Sequence, residues 1–97
     1  MIVKIHNRDG NVLIAICDSE LLGKKFSEGN KQLDLTSTFY KGTEVDEKKL
    51  KEDIKRAYIL NIVGKKSINF ALKEGIIQKE HIITIQDIPH AQALLLR

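Results

Sequence analysis

The sequence is short of the features that usually announce a function. It has one cysteine, one proline and no tryptophan in 97 residues. A lone Cys17 excludes an internal disulfide framework and fits a reducing interior. No apolar run approaches the roughly 18 residues needed to span a membrane, and the Met-Ile-Val start lacks the charged leader of a signal peptide. With one proline and six glycines there is little material for linkers. The expectation is a cytoplasmic chain forming one domain over residues 1–97.

What is present is a balanced globular composition, 42% hydrophobic and 30% charged, which is not that of a disordered chain. The net charge of +3 is modest, but it is unevenly placed. Residues 41–73 hold nine Lys/Arg against five Asp/Glu, while the remainder holds seven against eight. The positive excess thus sits on the centre of the chain. It suggests a polyanionic partner, although solvated lysines on a helix are the commoner cause of such a bias.

Residues 1–17 read as a β-hairpin. Val3 and Ile5 alternate with Lys4 and His6, and Asn7-Arg8-Asp9-Gly10 supplies the turn. The return run from Val12 to Cys17 is apolar throughout, as expected of a central strand covered on both faces. Asp18 to Gly23 predicts a capped single helical turn, Lys24 to Asn30 a loop, and Gln32 to Thr36 a third strand. Asp46 can cap a helix whose buried face is Leu50, Ile54, Ala57 and Tyr58.

Ile59 to Val63 is apolar almost all round and reads as a buried continuation of that helix. Asn61 within it is either the N-cap of a second helix or a buried polar group in need of partners. The second helix is expected to reach Glu74 and stop at Gly75, with Ile68, Ala71 and Leu72 as its core stripe. Phe70 falls outside that stripe, beside Lys66 and Lys73. Two strands, 82–85 and 91–96, close the chain. The expected class is α+β in the order βββ(α)αββ: a mostly antiparallel sheet with two consecutive helices packed on it.

Several chemical readings can be weighed. Gly64-Lys65-Lys66-Ser67 invites comparison with a phosphate-binding loop, but that motif needs a glycine where Ile59 stands. A helix starting near Asn61 or Gly64 could still offer free N–H groups to a phosphate. A helix kink is the simpler alternative. Cys17 stands where a strand runs into a helical turn, a place for a nucleophile, but no histidine is close in sequence and a core thiol is the plainer reading. His6, His81 and His90 lack metal-ligand spacing, so no metal and no cofactor is implied.

Two candidate sites remain. Lys65, Lys66 and Lys73 around Phe70, extended by Lys24 and Lys25, join charge to an aromatic face, as RNA and phosphate binders do. Arg8, Asn61, His90 and Gln92 could instead line a polar pocket for a small ligand or an enzyme's substrate. A third possibility is a protein–protein adaptor using Phe70 or a strand edge.

The chain also resembles a small archaeal single-domain family of unknown function. The resemblance rests on Arg8-Asp9-Gly10, Cys17-Asp18 with Leu22-Gly23, Phe26, Glu28-Gly29, Gln32-Leu33, Phe39-Tyr40 with Gly42, Asn61-Ile62-Val63-Gly64, and Pro89-His90-Ala91-Gln92. It implies a cytoplasmic protein and draws interest to Asn61, Gly64, His90 and Gln92. It brings no activity with it. The leading expectation is a non-enzymatic module that associates with RNA or the ribosome through its basic helical surface, without a membrane partner.

Overall fold

In the computed structural model, which describes residues 1–95, the turn chemistry of the first hairpin sets the register of the sheet. Asp9 (φ 55°) and Gly10 (φ 83°) both adopt positive φ, matching the twist of the flanking strands. They join β1 (Ile2–Arg8) to β2 (Asn11–Cys17), with Ile2 opposite Cys17 and Arg8 opposite Asn11. A 3-10 turn at Ser19–Leu21 follows, then a hairpin of β3 (Lys25–Glu28) and β4 (Lys31–Asp34). The segment expected as a loop at 24–30 is thus mostly strand: Phe26 pairs with Leu33 and the turn falls at Gly29, with φ 60°.

A short β5 (Thr43–Glu44) leads into α1 (Glu47–Ile54). The Asp46 carboxylate accepts from the Lys49 amide at 2.8 Å, the expected cap. The chain then forms β6 (Ile59–Val63), α2 (Lys65–Lys73), a 3-10 turn at Lys79–His81, β7 (Ile83–Ile85) and β8 (Ile88–Leu94). The six-stranded sheet has the order β5-β1-β2-β6-β8-β7 and is antiparallel except between β2 and β6. The α+β class and the mostly antiparallel sheet agree with the sequence reading. The final expected strand ends at Leu96, which lies outside the described residues.

A second stretch differs more. Ile59 to Val63 is not a helical continuation but a strand lying parallel to β2, so a strand separates the two helices. The physical reason is its composition: Ile59, Ile62 and Val63 are β-branched and fit a pleated surface. A strand inside the sheet is covered on both faces, so it reads as continuously apolar. α1 accordingly stops at Ile54, and Tyr58 is 47% exposed instead of core.

The two sheet faces have different covers. Val3, Ile14, Ile16, Leu60, Ile62, Ala91 and Ala93 point to the face carrying the helices, where Leu50, Ile68, Phe70 and Ala71 meet them. On the opposite face, Ile2, Ala15, Cys17, Val63 and Ile85 are covered by Leu33 and Leu35 from the β4 region and by Leu21 and Tyr40. That small hairpin reaches over only part of the second face. Among the described residues no helix is long and apolar enough to cross a membrane.

Candidate functional site

The glycine–lysine stretch resolves into a strand-to-helix corner. Gly64 follows β6 with φ 108° and ψ 157°, and α2 begins at the next residue. The first turn of α2 is already occupied. The Asp18 carboxylate, carried by the end of β2, accepts from the Lys66 amide at 3.0 Å and the Ser67 amide at 2.8 Å. It also accepts from Ser67 Oγ at 2.8 Å. Asp18 is buried and Ser67 fully so.

This corrects the idea of a phosphate held by free N–H groups there. A helix N-terminus attracts an anion, and the chain supplies its own from 49 residues away. The corner is also where two neighbouring parallel strands end, the usual ligand crevice of a parallel sheet. Here a side chain fills it.

The basic face changes in the same way. Phe70 is 3% exposed and packs in the core, so it offers no ring to a ligand. Ser67, bonded to Asp18, points inward together with Ile68, Phe70 and Ala71, so Phe70 belongs to the core stripe of α2 and not to its exposed side. Lys73 donates to Glu47 at 2.7 Å, and Lys25 faces Asp34, whose carboxyl is held below its usual range by Thr36 and by that lysine. Lys24, Lys65 and Lys66 are exposed. The aromatic-and-cation combination is therefore absent from the helical centre.

The other predicted set is partly assembled. Asn61 sits in the middle of β6, so it is neither an N-cap nor a buried group. Gln92 stands directly opposite it on β8, and His90 stands opposite Val63, one step along the same face. Burial pushes the half-buried His90 imidazole below its ordinary value of 6.5, so it is neutral near pH 7. Arg8 is not part of this group. It lies two strands away and four residues further along, roughly 16 Å by strand geometry.

The pairings lay out the second face in rows. Ile2, Cys17, Val63 and His90 form the row beneath the small hairpin, and Lys4, Ala15, Asn61 and Gln92 the next. His6, Leu13, Ile59 and Leu94 form the third. Leu94 is 62% exposed, and Leu13 and Ile59 are half-buried. At one end of that row the His6 and Phe39 rings stack with centroids 4.7 Å apart at 18°. His6 Nε2 donates to the Phe39 carbonyl at 2.9 Å, which ties the loop before β5 to the sheet. A groove of about 480 Å³ runs from these rings past Leu13 to Ile59 and Tyr58, with Arg8 and Asn11 on its rim. Sequence reasoning missed His6, Phe39 and Tyr58. Alternation on β1 places His6 and Arg8 on one face and was a usable signal; the arrival of Phe39 from 33 residues away was not.

Cys17 is a core thiol. Burial, then the neighbouring Asp18, pushes it up to about 11 from an ordinary 9.0, and burial similarly pushes Tyr40 up to about 12 from 10.0. Native protein should resist iodoacetamide at pH 8 yet react fully in urea, as mass spectrometry would register. Stability follows with a defined sign. Between about pH 9 and 11 the unfolded chain has released the Cys17 proton while the folded chain holds it, so stability falls as pH rises through that window. The melting temperature should drop between about pH 9 and 11, and less steeply in Cys17→Ala. Equal slopes would contradict the assignment.

No curated protein matches the chain. Among solved structures, the crystal structure of an uncharacterized conserved protein from Methanopyrus kandleri matches with a TM-score of 0.80. The likeness covers 99% of this chain and 92% of that one at 24% identity, and so establishes a shared fold. The family described as "Protein of unknown function (DUF424)" matches residues 6–96, and the chain belongs to that family.

Proposed function

We propose that the protein is a non-enzymatic binding module for unpaired RNA, the ribosome's included, acting in the cytoplasm. One observation carries the reading: on the second sheet face the half-buried Leu13 and Ile59 and the exposed Leu94 run in a row from the His6–Phe39 stack, beside the amides of Asn61 and Gln92. An exposed sheet lets single-stranded bases lie flat on aliphatic and aromatic groups, while amide side chains pair with base edges. Lys4 and Arg8 project on the same face and can meet the phosphates. The surface therefore moves from the helical centre to the sheet. Catalysis has less support, because the thiol holds its proton to about pH 11 and the Asp18 carboxylate is spent on the helix cap.

The test is fluorescence anisotropy with a labelled mixed-sequence single-stranded RNA, between about 50 and 200 mM salt. Affinity should fall steeply with salt, by about 0.7 in logarithmic slope for each phosphate contact. Leu94→Glu, an exposed change that sets a negative charge against the backbone, should weaken binding about tenfold or more. Lys65→Glu combined with Lys66→Glu should matter less. If that double change abolishes binding while Leu94→Glu does nothing, the sheet surface is wrong. No binding to any RNA removes the reading.

A second reading has its own observation. Leu94 at 62% and Ile83 at 47% exposure leave two apolar side chains on one sheet face toward the β7–β8 edge, four residues apart along β8, each open to a partner protein. A partner protein that stays bound after nuclease treatment would favour an adaptor.

A further inference from the structure

We infer that the groove between the His6–Phe39 stack and Tyr58 seats one nucleotide of such an RNA, its base flat on Leu13 and Ile59 and its phosphate at Arg8. This rests on the RNA reading above and narrows it to one place. At about 480 Å³ the groove lies within the range of small-molecule sites.

The lining is chemically suited to a base. Two π-bearing walls stand on opposite sides of β2: the stacked rings on the β1 side, and Tyr58 on the β6 side. The Tyr58 backbone is held at both ends. Its amide donates to Val12 at 2.7 Å, and its carbonyl accepts from Leu95 at 2.9 Å. The ring is nevertheless 47% exposed, an aromatic with a fixed stem and an uncovered face. Between the walls the floor is aliphatic, which favours a planar uncharged ring over a sugar or a peptide carboxylate.

The rim selects further. Arg8 faces Asn11 across the hairpin end, so a guanidinium and an amide stand together where a base edge and its phosphate would emerge. Asp9, also on the rim, opposes accumulation of negative charge. A single phosphodiester is tolerated where a triphosphate would be repelled. The site therefore fits an internal nucleotide of a chain better than a free nucleoside triphosphate.

The experiment uses the same anisotropy assay with full-length protein. Tyr58→Ala should weaken single-stranded RNA binding about 5- to 100-fold, the range seen when one stacking aromatic is removed. Tyr58→Phe should retain it, since the ring and not the hydroxyl is required. Arg8→Ala should weaken binding and flatten the salt dependence by about one phosphate contact. If wild-type protein binds RNA and Tyr58→Ala binds equally well, the groove is refuted while the RNA reading stands. If no RNA binds, amide chemical shifts are followed on adding uridine or adenosine monophosphate. Saturable shifts at Arg8, Asn11 and Tyr58 keep the groove as a nucleotide site without the RNA reading. Their absence overturns it.

Discussion

Asp18→Ala should destabilise the fold by about 3 kcal/mol or more, making it among the most damaging single substitutions in the chain. The carboxylate accepts three hydrogen bonds, two from the first-turn amides of α2 and one from Ser67 Oγ. Hydrogen bonds to a charged group contribute about 1.5–3 kcal/mol each, and losing a helix cap alone costs about 1 kcal/mol. Truncation also strands the Ser67 hydroxyl, which is fully buried and donates to Asp18. A domain of this size has only about 5–15 kcal/mol in total, and each kcal/mol moves Tm by roughly 4–8 °C. A fall of about 15 °C in a thermal melt is therefore expected.

Asp18→Asn discriminates the cause. Its single oxygen can still serve the Ser67 pair, but its NH2 then faces the Lys66 amide, donor against donor. It should fall between wild type and Ala, and Asp18→Ala should leave the far end of the sheet, at Arg8 and Asn11, intact by amide exchange. A loss below 1 kcal/mol for Asp18→Ala would mean that water replaces the cap and that the corner is not a stability determinant.

This corner also shows how far the sequence could be read. Local chemistry was legible: Asp9-Gly10 forecast its turn, Asp46 its cap, and Gly75 the end of α2 with φ 71°. The strand at Ile59–Val63 was not, because five apolar residues fit a buried strand and a buried helical turn equally well. What decides is the parallel pairing with β2, a partner over forty residues away. The burial of Phe70 likewise depends on distant partners, since it packs in the cluster with Ile14, Leu60 and Ala91 of the sheet. The candidate site divides likewise. Asn61 and Gln92 do face each other, whereas Arg8 belongs to a different end of the sheet and pairs with Asn11 there. A groove assembled from β1, β2, the loop before β5 and the start of β6 has no contiguous signature to find.

Gly64→Ala should cost about as much as Asp18→Ala, for a steric reason that ties the two together. At φ 108° and ψ 157° the backbone is in a region that only glycine visits freely, and forcing another residue into it costs about 1–3 kcal/mol. A Cβ there would also stand 2.3 Å from Asp18 Cγ and 2.6 Å from both its carboxylate oxygens. The carboxylate cannot swing aside without surrendering the cap, so the methyl group and the three hydrogen bonds are mutually exclusive. The two substitutions should then be strongly non-additive. Once Asp18→Ala has removed the obstructing carboxylate, adding Gly64→Ala should cost only the backbone part, leaving a coupling of about 1 kcal/mol or more in a double-mutant cycle by urea unfolding. Full additivity would show that backbone conformation alone demands glycine at 64. Coupling would show instead that the glycine is there to admit Asp18, whose carboxylate ties the end of β2 to the first turn of α2.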